Sequence, residues 1–141
     1  MMAELSHAAQ QAEIVDQTQQ LSLRGAPFPR LYRPPYGSFN QATFKILHRL
    51  HMIMVLWTVD TSDYLQPGIA TIVDSVLAGA KPGAIILMHD AGGTRTQEIA
   101  ALPSIVHGLQ TRGYKLVTVP QLILEDPPQH KQPTPSSLAG D

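Results

Sequence analysis

Polar residues capable of acid–base and oxyanion chemistry follow three apolar, strand-like runs of this sequence. The first run ends in Arg33-Pro34-Pro35-Tyr36-Gly37, the second in Asp60-Thr61-Ser62-Asp63-Tyr64, and the third in His89-Asp90. A histidine titrates near neutral pH and can donate a proton to a leaving group, and a carboxylate beside it fixes its tautomer. His89 is therefore a candidate proton donor, and Asp63 could supply the carboxylate.

The segments between these runs predict how the polar residues come together. Helical patterns separate the runs, so we expect parallel strands whose C-terminal ends share one face. In parallel α/β folds that face carries the active site. An arginine, a pair of aspartates and a histidine would then be gathered into one pocket, which points to an enzyme.

Each of these residues also has a purely structural interpretation. His89 could be a strand-end histidine bonded to nearby backbone, and Asp60 and Asp63 could be turn or helix-cap residues. Arg33 could lie on the surface, although the prolines after it fix the backbone where a guanidinium needs placement. For these positions the sequence leaves both interpretations open.

Aromatic residues and a histidine pair leave further alternatives. Tyr36-Gly37 could form a turn or present a backbone N–H to an oxyanion. Tyr64 could stack on a sugar or be an ordinary loop aromatic, whereas Trp57 is expected in the core. His48 and His51 stand at i, i+3 spacing, but no acidic residue adjoins them, so no metal site is predicted there.

Length and composition limit the classes of function. The chain has 141 residues, enough for one domain with a core, and its formal net charge of −1 argues against nucleic-acid binding. It has no cysteine, and we find no apolar run of about 18 residues that would span a bilayer. Residues 1–6 lack the basic and apolar segments of a signal peptide.

Hydrophobic periodicity predicts an α/β fold in which parallel strands alternate with helices. Ser6 and Asn40 are the expected N-caps of the first two helices, and the first of these runs to about Leu23. Two more helices are expected over 69–80 and 102–109, with Pro103 in the first turn of the latter. The predicted strands are 30–33, 52–59, 84–88, buried on both faces, and 114–119.

The ends of the chain carry two further expectations. Four strands alone would make a small sheet with two exposed edges, which more strands ahead of Met1 would relieve. Residues 126–141 are rich in Pro, Gln, Ser and Gly, so we predict a disordered tail after a domain that covers residues 1–125.

Three stretches together resemble the polysaccharide deacetylases of carbohydrate esterase family four, the NodB-type domains. Residues 33–37 resemble the family's third motif, and residues 60–64 its fourth, Asp-x-x-Asp-Trp, with Tyr64 in place of the tryptophan. Leu87-Met88-His89 resembles the fifth motif, Leu-x-His. Order and spacing agree, and the resemblance runs from about Leu5 to about Leu124.

The resemblance implies a distorted (β/α) barrel in which a divalent metal such as zinc activates water to remove acetyl groups from a glycan. His89 would be the general acid that protonates the leaving amine, and Asp63 would hydrogen-bond and tune it. Arg33 would position the catalytic base, and the backbone N–H of Tyr36 would stabilise the oxyanion. The substrate-binding residues would be Leu87, which lines the acetyl pocket, Tyr64 and Pro35.

The same resemblance implies that part of the family's machinery lies outside this chain. The first motif, Thr-Phe-Asp-Asp-Gly, supplies the base and one metal ligand, the second, His-x-x-x-His, supplies two more ligands, and neither occurs here. The chain would thus be the C-terminal part of a barrel and lack the ligands for the metal. The N-terminal barrel half is the expected partner, and negligible activity is expected without it.

Three hypotheses of function follow. The first is a deacetylase acting on an N-acetylglucosamine polymer such as peptidoglycan or chitin, or on acetylxylan, in the cell envelope or secreted. The second is a non-catalytic glycan-binding half-domain. The third, an unrelated α/β hydrolase, is disfavoured because no Gly-x-Ser-x-Gly elbow occurs.

Overall fold

The computed structural model describes residues 1–128, which divide into two compact units. Unit 1 comprises Met1–Leu56 and unit 2 begins at Trp57. Each unit contains helices and one pair of short parallel strands, so the predicted alternation of parallel strands and helices is confirmed. Residues 129–141, which include most of the predicted tail, lie outside the described residues.

Unit 1 is built from two capped helices and one strand pair. Helix α1 is His7–Leu23 and helix α2 is Gln41–Arg49. As predicted, the Ser6 hydroxyl accepts from the Ala9 amide at 3.2 Å, and the Asn40 side chain caps α2. Strand β1, Leu31–Tyr32, pairs in parallel with strand β2, Ile53–Met54. Their shared core consists of Met2, Ile14, Tyr32, Ile46, Leu47 and Met52.

Unit 2 carries the second strand pair and three helices. Strand β3, Val59–Asp60, pairs in parallel with strand β4, Ile86–Leu87. Helix α3, Ile69–Gly79, packs against helix α4, Thr96–Thr111, and helix α5 is Val119–Glu125. The core between α3 and α4 is formed by Ile72, Val76, Ala101, Ile105 and Leu109.

The predicted single strand over 52–59 is wrong, because the stretch forms two strands with different partners. The Val55 amide donates to Tyr32 O at 2.8 Å, whereas the Thr58 amide donates to Ile85 O at 2.8 Å. A continuous apolar run hides such a change of partner, since both halves have the same composition. Trp57, expected in the core, is only half-buried.

The predicted strand over 114–119 is also wrong. The Tyr114 amide returns to Leu109 O at the end of α4, and its hydroxyl donates to Ala80 O at 3.1 Å. The chain then enters α5, where the Thr118 hydroxyl caps the Gln121 amide and Pro120 stands in the first turn. A capping threonine followed by proline is a helix-start signal that outweighs the β-branched residues here.

Two smaller predictions in unit 2 need correction. Helix α4 begins at Thr96, so Pro103 lies inside the helix and not in its first turn. The sequence gives no apolar residue at 96–98 from which this earlier start could be inferred. Strand β4 is half-buried and not buried on both faces.

Two glycines allow the close packing of unit 2, and their replacement should differ in cost. A Cβ at Gly79 would lie 2.7 Å from Val59 Cγ2, and one at Gly108 would lie 2.9 Å from Leu77 Cδ2. Val59 is β-branched and buried, so we expect Gly79→Ala to lower the free energy of unfolding by about 1–3 kcal/mol. Leu77 can rotate, and alanine favours a helix by about 1 kcal/mol, so Gly108→Ala should cost less. Urea denaturation of both variants checks this, and a larger loss for Gly108→Ala would contradict it.

Candidate active site

A buried aspartate holds a histidine through both of its carboxylate oxygens in unit 2. Asp63 Oδ1 lies 2.7 Å from His89 Nδ1, and Asp63 Oδ2 accepts the backbone N–H of His89 at 2.6 Å. The Asp63 side chain is 0 % exposed, while that of His89 is 37 % exposed. The predicted pairing of these two residues is therefore seen in the structure.

The strand pair β3–β4 brings the two residues together. Asp60 stands opposite Leu87 in the parallel register, so Asp63 and His89 both follow the carboxyl ends of adjacent strands. The Thr61 hydroxyl donates to Leu87 O at 2.9 Å and continues the connection beyond the ladder. The Ser62 amide donates to Asp60 Oδ1 at 2.8 Å, so Asp60 serves the turn that carries Asp63.

The electrostatics of Asp63 favour its ionised form. Burial raises the pKa of this carboxyl, but hydrogen bonds from the His89 ring and backbone, the His89 charge and a hydrogen bond from Thr61 outweigh burial, so its pKa lies below the usual range. A carboxylate can only accept hydrogen bonds. His89 Nδ1 must therefore carry the proton in this contact, which leaves Nε2 as the atom that can exchange a proton with a substrate.

Two predicted substrate-binding residues adjoin this pair. The Tyr64 ring stands edge-on to the His89 ring, with centroids 5.7 Å apart, and its side chain is exposed. Leu87 is half-buried in β4, two residues before His89. Their neighbourhood with His89 is a structural fact, and their contact with a glycan stays a prediction.

The other predicted site residues belong to unit 1. Arg33 follows β1, and its guanidinium donates to Val55 O at 3.2 Å and to Leu56 O at 3.4 Å; burial lowers its pKa. Pro35 is exposed, and Tyr36 is 85 % exposed with a left-handed backbone, φ +56°. The predicted roles of Arg33, Pro35 and Tyr36 stay predictions.

Sequence reasoning missed a polar cluster behind Asp63. The Gln66 amide donates to Asp63 O at 3.0 Å and to the buried Glu98 carboxylate at 2.8 Å. Arg95, beside Glu98, donates to Ala91 O at 2.9 Å in the loop after His89. Gln66 and Glu98 are far apart in sequence, so no local pattern announces their contact.

The described residues do not fit the metal that the family resemblance implies. Within residues 1–128 no group of three or more His, Asp or Glu side chains is arranged to hold a metal ion. A catalytic zinc site uses three protein ligands. His89 Nδ1 is engaged by Asp63, and His48 is an exposed side chain of α2. No helix in this part of the chain is both long and apolar enough to cross a membrane.

Sequence comparisons agree with this arrangement. The family model described as Polysaccharide deacetylase matches residues 1–55. A peptidoglycan-N-acetylglucosamine deacetylase of Bacillus cereus is 42% identical over 97 residues, covering 67% of this chain and 46% of the relative. A chitooligosaccharide deacetylase of Bradyrhizobium sp. is 36% identical over 105 residues, covering 67% and 48%. The chain thus spans about half the length of these curated relatives.

Solved structures give the same result. The Bc1960 peptidoglycan N-acetylglucosamine deacetylase matches with a TM-score of 0.82 and 30% identity, over 86% of this chain and 57% of that one. A carbohydrate esterase family four pseudoenzyme of Bacillus anthracis matches with a TM-score of 0.71 and 31% identity, over 84% and 41%.

These likenesses define the class of the protein, an α/β domain related to carbohydrate esterases. The chain belongs to the polysaccharide deacetylase family, carbohydrate esterase family four. The predicted family and the predicted fold class, parallel strands and helices of part of a (β/α) barrel, are confirmed. The domain boundary at residue 125 stays a prediction.

The buried Asp63 carboxylate should make stability depend on pH. In Asp63→Asn an amide N–H₂ would face the donors of His89, or leave one donor without an acceptor, so the free energy of unfolding should fall by about 1–3 kcal/mol at neutral pH. Because the pKa of Asp63 is lowered in the fold, its contribution is complete above the unfolded value of about 4 and is lost as pH falls through the lower folded value. The difference between wild type and variant should therefore shrink below about pH 4.

Urea titrations at several pH values measure this difference. Asp74→Asn, on the exposed side of α3, is the matched control and should show no such trend. A constant difference between wild type and Asp63→Asn down to about pH 2 would contradict the lowered pKa.

Proposed function

We propose that this chain supplies the proton-donating side of a deacetylase site, with His89 as the general acid. The observation that carries the proposal is the double contact of Asp63 with the ring and backbone of His89, at 2.7 and 2.6 Å. This contact fixes the ring with Nδ1–H on the carboxylate and Nε2 directed away from it. A half-exposed histidine held in one tautomer is suited to general acid catalysis.

The reaction we infer is hydrolysis of an acetamide. Water adds to the acetyl carbonyl and gives a tetrahedral intermediate; the C–N bond then breaks while Nε2 of protonated His89 donates its proton to the departing nitrogen. The products are acetate and the free amine. Asp63 stabilises the protonated imidazole and keeps its orientation, as a buried carboxylate does for a catalytic histidine.

The substrate we propose is a glycan that carries N-acetylglucosamine. The relatives that support this choice are a peptidoglycan-N-acetylglucosamine deacetylase and a chitooligosaccharide deacetylase. Tyr64 would pack against a sugar ring, and Leu87 and Pro35 would line the substrate groove. Such polymers favour a place in the cell envelope or outside the cell.

The residues of unit 1 would assist at the other end of the reaction. We propose that Arg33 positions the catalytic base and that the Tyr36 backbone N–H binds the oxyanion. The left-handed backbone of Tyr36 supports this role, because strained non-glycine residues cluster at functional sites. The base and the metal ligands would come from outside this chain, so we expect the chain alone to release almost no acetate.

The His89 proposal can be tested in an active context. The chain is joined in frame behind the segment of the Bacillus cereus relative that it does not cover, and acetate release from chitopentaose is measured. We expect His89→Asn to lower kcat by about 10²–10⁴, the usual contribution of a general acid. The unfused chain should release no more acetate than its His89→Asn variant. A fusion that keeps its rate after His89→Asn would contradict the acid role.

A second candidate function is a non-catalytic glycan-binding half-domain. The Bacillus anthracis neighbour, described as a pseudoenzyme of the same family, favours it, because that fold exists there under the name of an inactive relative. In this case the chain would bind the polymer through Tyr64 and its neighbours and perform no chemistry.

Glycan binding separates this candidate from a mere structural remnant. We expect chitopentaose to shift the amide resonances of Tyr64, Leu87 and His89 in the isolated chain, and Tyr64→Ala to weaken binding about 5-fold or more, since an aromatic–sugar contact contributes about 1 kcal/mol or more. Leu124→Ala, at a strongly exposed residue of α5, is the control. Shifts that are absent, or unchanged by Tyr64→Ala, would contradict the assigned binding surface.

A further inference from the structure

Glu98 is a buried carboxylate that neither the family motifs nor the proposed chemistry uses. It lies in the first turn of α4, and the residue is 2 % exposed. Burial raises its pKa, but hydrogen bonds from its own backbone N–H, Gln66 and Arg95, together with the Arg95 charge, outweigh burial and lower its pKa. The ionised form therefore persists in the interior, where a carboxylate needs compensation by several donors.

The first partner of Glu98 reaches Asp63. Glu98 Oε2 accepts from Gln66 Nε2 at 2.8 Å, and the same Nε2 donates to the backbone O of Asp63 at 3.0 Å. One amide group thus bridges Glu98 to the residue that grips His89. Gln97, next to Glu98, accepts the Gly68 amide at 2.7 Å and secures the end of the same turn.

The second partner of Glu98 reaches the loop that follows His89. Arg95 Nε lies 3.4 Å from Glu98 Oε1 and donates to Ala91 O at 2.9 Å, and its Nη2 donates to Gly92 O at 3.1 Å. Glu98 Oε1 makes no hydrogen bond within residues 1–128, so its interaction there is the charge of Arg95 alone. The carboxylate is thereby placed to hold the arginine that secures Ala91 and Gly92.

We propose that Glu98 is a positioning residue that fixes both loops of the Asp63–His89 pair. Its Oε2 acts through Gln66 on the turn of Asp63, and its Oε1 acts through Arg95 on the loop after His89. The catalytic meaning of this role rests on the proposed function, whereas the orientation of His89 can be measured without turnover.

Nuclear magnetic resonance of the whole chain tests the proposal. In the wild type, the ¹⁵N shifts of the His89 ring should report the Nδ1–H tautomer, and the His89 amide should be protected from exchange by Asp63 Oδ2. In Glu98→Ala we expect exchange between tautomers and about tenfold faster amide exchange at His89, with the amides of the α3–α4 core unchanged. Glu125→Ala, which removes an exposed carboxylate paired with Lys115, is the matched control.

Two further variants divide the network. Gln66→Ala should loosen the Asp63 turn while the loop at Ala91 keeps its order. Glu98→Gln should keep an acceptor for Gln66 and release Arg95, so it should show the opposite pattern. If Glu98→Ala leaves the tautomer and the His89 amide unchanged, or speeds exchange equally throughout unit 2, the positioning role is wrong.

The outcome is independent of the activity test. A selective effect of Glu98→Ala on His89 would support the positioning role even if His89→Asn left the fusion active, which would overturn the proposed function alone. An unchanged His89 ring in Glu98→Ala, with a fusion that requires His89, would overturn only the role of Glu98.

Discussion

The contact on which the site of unit 2 depends is the double acceptance of His89 by the Asp63 carboxylate. A buried carboxylate is unfavourable unless its oxygens are satisfied, and here one oxygen takes the ring N–H and the other the backbone N–H. The backbone bond fixes where the histidine begins, and the ring bond fixes its rotation. Together they leave the Nε2 edge as the reactive one.

This contact requires a particular backbone on each side. The turn of Asp63 contains Ser62 and Gln66, which both have left-handed backbones at φ +49° and +54°, a conformation that costs a non-glycine residue about 1 kcal/mol. Hydrogen bonds offset that cost: the Ser62 amide binds Asp60, and the Gln66 side chain joins Asp63 to Glu98. The site is therefore held by the polar network behind it as well as by the short β3–β4 ladder.

The sequence predicted what is local and missed what depends on distant partners. Capping by Ser6 and Asn40, helix α3 and the pairing of Asp63 with His89 follow from short patterns and from the rule that parallel strand ends meet. The division of 52–59 into two strands depends on which carbonyls lie opposite Val55 and Thr58, and composition does not encode this. Glu98 was missed for the same reason, because a glutamate in a first helical turn is typical of exposed positions.

Tyr36 extends the same reasoning to unit 1. Its side chain is 85 % exposed and contributes little packing, yet its backbone is left-handed at φ +56°, directly before Gly37 at φ +61°. The buried Pro34 and the hydrogen bond from the Gly37 amide to Pro34 O at 3.0 Å impose this geometry. Since burial of the tyrosine does not offset the strain, any use of the conformation must lie in the direction of the backbone. An aimed main-chain N–H needs no particular side chain, which is consistent with an oxyanion contact that a motif of prolines and glycine around one residue can provide.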